Sequence, residues 1–98
     1  MNKEIKEKIR EIIENLGYEI ENIKEITNQS EIQKFVYELE NEEYEIPGLI
    51  EKFYLVKTTE EGIFYKVPVI DEEIEEELIL ECNEEDDFEK IIMMMKIY

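Results

Sequence analysis

Two stretches of the chain carry apolar residues at helical spacing. In the first, Gly17 follows the stripe as a C-terminal stop, which predicts a helix over about residues 2–16. The stripe consists of Ile5, Ile9, Ile12, Ile13 and Leu16. The second stretch follows a capping box that begins at Ser30, and it predicts a helix over about residues 31–41. Its apolar positions are Ile32, Phe35, Val36 and Leu39. A strand that uses Phe35, Tyr37 and Leu39 remains the alternative.

A β-hairpin is predicted in the second half of the chain. Ile50 to Lys57 and Ile63 to Ile70 are rich in β-branched and aromatic residues, and a loop that ends at Gly62 separates them. Alternation places Ile63, Tyr65, Val67 and Val69 on one face of the second strand. Pro68 lacks an N–H group, which favours an edge position or a strand end for this segment.

Further elements complete the predicted order. Residues 77–82 suit a third strand, with Leu78, Leu80 and Cys82 pointing inward, and a helical turn is the alternative for the lead-in 71–76. Asn83 is suited to cap a final helix. Residues 18–26 stay open between strand and helix. We therefore expect one α+β domain over residues 1–98, with the order α-(β?)-α-β-β-β-α and a small three-stranded antiparallel sheet packed by two or three helices.

Composition excludes several kinds of chemistry. The chain has no His and one Cys, so ordinary zinc sites and nucleophilic triads that need His are ruled out. Asn83, Glu85 and Asp87 have the first spacings of a calcium loop, but Phe88 and Met94 stand where such a loop needs Gly and Glu. We predict that the protein is not an enzyme and that it holds no metal and no cofactor.

The charge of the chain is strongly negative and uneven. There are 28 acidic and 11 basic residues, for a formal net charge of -17, and residues 71–89 contain twelve acids and no base. Tyr44 lies in another acidic stretch and is a candidate interface anchor. The acidic residues predicted to bind a partner are Glu72, Glu73, Glu75, Glu76, Glu84, Glu85, Asp86 and Asp87. The alternative is that the run is a solvated face and that Tyr44 only covers a sheet edge.

Such a surface should bind a basic macromolecule and repel nucleic acid and anionic membranes. In size, acidity and lack of catalytic residues the whole chain is similar in kind to phage anti-CRISPR proteins, other DNA-mimic inhibitors and the immunity proteins that neutralise nuclease toxins. This likeness implies an inhibitor that blocks the nucleic-acid channel of a nuclease or CRISPR effector, and it leaves a phage or viral origin open. A cytoplasmic location is expected because the single Cys82 cannot form an internal disulfide. An immunity protein is one alternative. The other is a structural or adaptor module that forms a homodimer through an apolar strand edge or the Met-rich segment at residues 93–95.

Overall fold

Two α-helices and five strands are present within residues 3–82, which are the residues that the computed structural model describes. The elements are α1 (Lys3–Asn15), β1 (Ile20–Ile26), α2 (Gln29–Asn41), β2 (Lys52–Thr58), β3 (Phe64–Ile70), β4 (Glu73–Ile74), a 3₁₀ helix (Glu76–Leu78) and β5 (Leu80–Cys82). The α+β class and the antiparallel sheet are confirmed, but the three-stranded sheet is wrong because five strands pair. The helix predicted after Asn83 lies outside the described residues. No helix within residues 3–82 has the length and apolar character needed to cross a membrane.

The sheet is antiparallel and has the order β1-β2-β3, with two short strands beyond β3. β4 pairs with the end of β3, where Ile70 faces Glu73, and β5 pairs with its beginning, where Phe64 faces Cys82. The predicted strand over 77–82 is therefore shorter than expected, because residues 76–78 form a 3₁₀ helix instead. The lead-in 71–76 holds a tight turn and β4, and helical structure begins only at its last residue, Glu76.

The two helices lie on opposite faces of the sheet. Ile9 and Ile13 of α1 pack in one apolar cluster with alternate residues of β2 and β3. The other alternate residues pack in a second cluster with Phe35 and Leu39 of α2. The predicted helical stripes are thus confirmed, except that Leu16 lies beyond the end of α1 and is exposed. Because both faces are covered, every residue of β3 is buried.

The segment that the sequence left open, residues 18–26, contains a strand with a bulge. Ile20 faces Thr58 and Asn22 faces Lys57, so Glu21 is an additional residue on β1. The bulge lets Ile20 and Ile23 both pack in the cluster that contains α1, while Ile26 packs in the cluster that contains α2. This change of face explains why the apolar spacing resembled a helix.

α2 begins earlier than the sequence pattern predicted. The side chain of Asn28 caps the helix, because its Oδ1 accepts hydrogen bonds from the N–H groups of Ser30 at 2.8 Å and Glu31 at 3.3 Å. The capping box that begins at Ser30 is therefore wrong, since Ser30 lies inside the first turn. The strand alternative for this segment is also wrong.

Pro68 lies in the interior of the sheet and not at the edge that its missing N–H group favoured. Its carbonyl accepts a hydrogen bond from the N–H of Glu75 at 3.1 Å, on the side of β3 away from β2. In a strand the N and O atoms of one residue point to the same side. The missing donor therefore faces the interval between β4 and β5, where no strand residue needs it.

Candidate protein-binding surface

Acidic side chains line one edge of the sheet. We use the name acidic edge for Asp71, Glu72, Glu73, Glu75, Glu76, Glu77 and Glu81, which belong to the segment that contains β4, the 3₁₀ helix and β5. Since this segment pairs with both ends of the seven-residue strand β3, the acidic edge extends over about 20 Å. The acidic residues 71–81 are thus spread along the edge of the sheet and do not form one compact cluster.

Most carboxylates of the acidic edge are exposed, and few have a basic partner. Glu75 is half-buried and the other members are exposed. Within residues 3–82 the acidic edge forms one ion pair, from Glu76 to Lys8 at 4.0 Å, and both side chains are more than half exposed. A pair of this kind neutralises little charge. Within the part of the chain that the structure describes, basic side chains therefore compensate little of the negative charge of the acidic edge.

Glu81 is the member of the acidic edge that bonds to the core. Its Oε1 accepts a hydrogen bond from the Tyr65 hydroxyl at 2.9 Å across the β3–β5 pair. Burial, together with this hydrogen bond, raises the pKa of Tyr65 far above its ordinary range. Tyr65 consequently stays neutral, and the position of Glu81 is fixed.

The opposite edge, β1, has a different electrostatic character. Glu21 pairs with Lys57 at 3.0 Å and Glu25 pairs with Lys52 at 3.2 Å. Glu25 also accepts a hydrogen bond from Tyr54 at 3.1 Å. Burial opposes ionisation of Glu25, but the bonds from Lys52 and Tyr54 hold its pKa below the ordinary value. Among residues 3–82, lysines thus form two close ion pairs with carboxylates of β1, whereas the acidic edge forms one longer pair.

The turn between β3 and β4 has a backbone conformation that side chains disfavour. Asp71 has φ 51° and Glu72 has φ 65°, and the flanking Ile70 and Glu73 pair directly. Two positive φ values in a two-residue hairpin loop are typical of a type I′ turn, which prefers Asn-Gly. Such residues cost roughly 1–3 kcal/mol each. The N–H of Glu72 donates to Oε1 of Glu51 at 2.9 Å and helps to hold the turn.

A groove of about 540 Å³ lies between the end of α2 and the segment that leads into β5. Glu38, Glu42, Tyr44, Ile79, Leu80 and Glu81 contribute to its lining. The N–H of Tyr44 donates to the carbonyl of Leu39 at 3.0 Å, which ties the loop after α2 back to the last turn of the helix. The side chain of Tyr44 is 38% exposed, so the ring is available at the surface of the groove.

The predicted contact residues occupy two places. Glu72, Glu73, Glu75 and Glu76 lie together in one half of the acidic edge, near β4. Tyr44 lies beside Leu80 and Glu81, toward the other end of the edge, so it does not adjoin Glu72 and Glu73. The remaining predicted residues, Glu84, Glu85, Asp86 and Asp87, lie outside the described residues.

Several residues of this surface were not selected from the sequence. Asp71, Glu77 and Glu81 belong to the acidic run, so its charge pattern was sufficient to include them. Glu38 and Lys66 form an ion pair across 28 positions of sequence, and no local pattern links them. Only the packing of α2 on β3 brings this pair together.

Comparison with protein-family models finds no match, and comparison with curated proteins and with solved structures finds no significant match. Among the residues from Lys3 to Cys82, no group of three or more His, Cys, Asp or Glu side chains is arranged to hold a metal ion.

Proposed function

We propose that the protein is a non-enzymatic acidic inhibitor, which binds a basic nucleic-acid-processing protein and blocks its nucleic-acid channel. The partner belongs to the class of nucleases or CRISPR effectors, and the site of action is the cytoplasm. The observation that carries the proposal is the uneven compensation of charge: lysines pair with Glu21 and Glu25 at β1, whereas the acidic edge has one long ion pair within residues 3–82.

The strained turn supports the same proposal. Asn-Gly would satisfy the two positive φ angles at lower cost than Asp71 and Glu72. A sequence that keeps carboxylates there gives up folding stability and retains negative charge at an exposed turn of the edge. Strained residues of this kind are concentrated at functional sites.

The mechanism is competitive occlusion. Basic channels attract nucleic acid because Lys and Arg neutralise phosphates. A row of carboxylates about 20 Å long offers the channel an alternative set of anions, and long-range attraction accelerates the encounter. Since exposed charges are screened by salt, the inhibition should weaken as the ionic strength rises.

The test compares two triple variants with the same change in net charge. The first is Glu72→Gln/Glu73→Gln/Glu77→Gln, on the acidic edge, and the second is Glu7→Gln/Glu11→Gln/Glu14→Gln, on the exposed face of α1. Each protein is used to capture binding proteins from a microbial lysate at low salt. Each is then titrated into the captured protein bound to a fluorescently labelled DNA or RNA.

We expect the wild type and the α1 variant to displace the nucleic acid at one-to-one stoichiometry, and the acidic-edge variant to fail while it remains folded by circular dichroism. Equal displacement by both variants would contradict the proposal. So would an interaction that survives high salt, or a salt-resistant homodimer with an apolar interface in a sedimentation experiment. An inhibited toxin nuclease would identify the partner class as that of an immunity protein.

A further inference from the structure

Two depressions on the surface of α2 meet at Glu38. The groove beside β5 is one of them, and Glu38 contributes to its lining. The other has a volume of about 410 Å³ and is lined by Gln33, Lys34, Tyr37 and Glu38. A carboxylate therefore lies between an exposed tyrosine on α2, Tyr37, and a second tyrosine in the loop that follows α2, Tyr44.

A buried lysine, Lys66, holds the carboxylate of Glu38 in place. Its Oε1 accepts a hydrogen bond from Lys66 Nζ at 2.5 Å. The side chain of Lys66 is 8% exposed, while that of Glu38 is 40% exposed. The Lys66 ammonium also lies 5.7 Å from the ring centroid of Phe35 and 5.9 Å from that of Phe53. Because a buried ammonium strongly favours its partner, Glu38 is kept at the surface in one position.

Tyr37 and Tyr44 supply aromatic surface on either side of Glu38. Tyr37 is 69% exposed and Tyr44 is 38% exposed, and they are two of the four large exposed apolar residues within residues 3–82. Exposed tyrosines beside a fixed charge resemble the anchors of protein interfaces, where a ring supplies contact area at low entropic cost.

We propose that Tyr37, Glu38 and Tyr44, with Glu42 and Glu81 at the rim, form a docking site for an arginine-bearing segment of a cationic partner protein. The inference rests on the proposed function, since it concerns the same class of partner, and it adds a second contact away from Glu72 and Glu73. Charge complementarity selects the occupant. Glu42 has no ion pair within residues 3–82, and the two lysines nearby are each paired with a glutamate, Lys34 with Glu31 and Lys66 with Glu38.

Arginine fits this surface better than lysine. Its planar guanidinium stacks on aromatic rings and binds carboxylates through a fixed fork of donors, whereas the lysine ammonium is a strongly hydrated point charge. A second copy of the chain is a poor occupant, because it carries the same net charge of -17.

The test uses two peptides, hexa-arginine and hexa-lysine, as probes of the full chain. Aromatic tyrosine signals and backbone amides are followed by NMR at low salt, for the wild type and for Tyr37→Ser, Tyr44→Ser and Leu49→Ser. Leu49 is the matched control, since it is 82% exposed and contributes to neither depression.

We expect hexa-arginine to shift the Tyr37 and Tyr44 signals and to bind several-fold more tightly than hexa-lysine. Loss of either ring should weaken hexa-arginine binding by roughly two- to five-fold, and Leu49→Ser should leave it unchanged. Equal affinity for the two peptides, or shifts confined to residues 71–77, would overturn the docking site and leave the proposed function standing. If neither peptide binds at low salt, both proposals are wrong.

Discussion

Lys66 on the interior strand β3 donates a hydrogen bond from Nζ to Oε1 of Glu38 on α2. The two partners differ in exposure, because the ammonium is buried beneath α2 whereas the carboxylate reaches solvent. Removal of one partner should therefore have a different effect from removal of the other.

Glu38→Gln should lower the free energy of unfolding by about 1–3 kcal/mol, because it leaves a buried ammonium without its counter-ion. Lys66→Met should stay within about 1 kcal/mol of the wild type, because Met suits the apolar surroundings and water can solvate the remaining carboxylate. Urea unfolding of both variants and of the double variant measures the difference. Equal destabilisation by the two single substitutions would contradict this account.

Glu72→Gly should raise the free energy of unfolding by about 0.5–1 kcal/mol. The substitution relieves the positive φ of 65° and keeps the N–H group that donates to Glu51, although glycine makes the unfolded chain more flexible. Glu73→Gly is the matched control, since Glu73 belongs to β4 and is not among the residues with positive φ. It should lower stability, and thermal unfolding of the pair would test the strained turn directly.

Glu25 should make the stability of the protein depend on pH in the acid range. Its pKa is lower in the folded chain than in the unfolded one, so its contribution is present above the ordinary glutamate pKa of about 4.3 and is lost as the pH falls through the folded value. The advantage of the wild type over Glu25→Gln should therefore be largest near neutral pH and should disappear in acid.

The measurement for Glu25 is urea unfolding of the wild type and Glu25→Gln at several pH values from neutral to strongly acid. Lys52→Met serves as a control that removes one of the donors to Glu25. At neutral pH the free energy of unfolding of Lys52→Met should therefore exceed that of Glu25→Gln by less than the wild-type value does. Parallel stability curves for the wild type and Glu25→Gln would show that this carboxylate is not linked to folding.

Gly48→Ala should lower the free energy of unfolding by about 1–3 kcal/mol, because an added Cβ would lie 2.9 Å from Cγ2 of Ile70. Ile70 is buried at the end of β3, and a β-branched side chain has little freedom to move aside. Combining Gly48→Ala with Ile70→Ala should cost less than the sum of the two single substitutions. Additive costs would mean that the loop containing Gly48 relaxes away from β3.

Local patterns predicted the elements that are formed by continuous apolar spacing. The helix at Ile32, Phe35 and Leu39 and the hairpin of β2 and β3 follow from sequence because their periodicity is regular. The bulge at Glu21 places Ile20 and Ile23 on the same face of β1, a spacing of three that regular alternation would put on opposite faces, and this irregularity concealed the strand. β4 was missed because a two-residue strand has too few positions to display alternation.

The candidate site was predictable in charge but not in arrangement. The acidic run and Tyr44 were visible in the sequence, yet their separation along the edge depends on which end of β3 each short strand joins. Glu38 was overlooked because its fixed position depends on the ion pair with Lys66. The sequence alone does not show whether a lysine on a strand is buried. Long-range packing, and not local propensity, decides both features.

Pro68 has a consequence for the outline of the molecule. Any other residue at this position would have an N–H group that can donate a second hydrogen bond to the segment around Glu75. Such a bond would favour one continuous strand in place of the separate strands β4 and β5. The imino acid interrupts that growth after one bond, so the intervening stretch leaves the plane of the sheet and coils as a 3₁₀ helix. The segment that departs from the sheet opposite Pro68 carries Glu76 and Glu77, and both side chains are exposed to solvent.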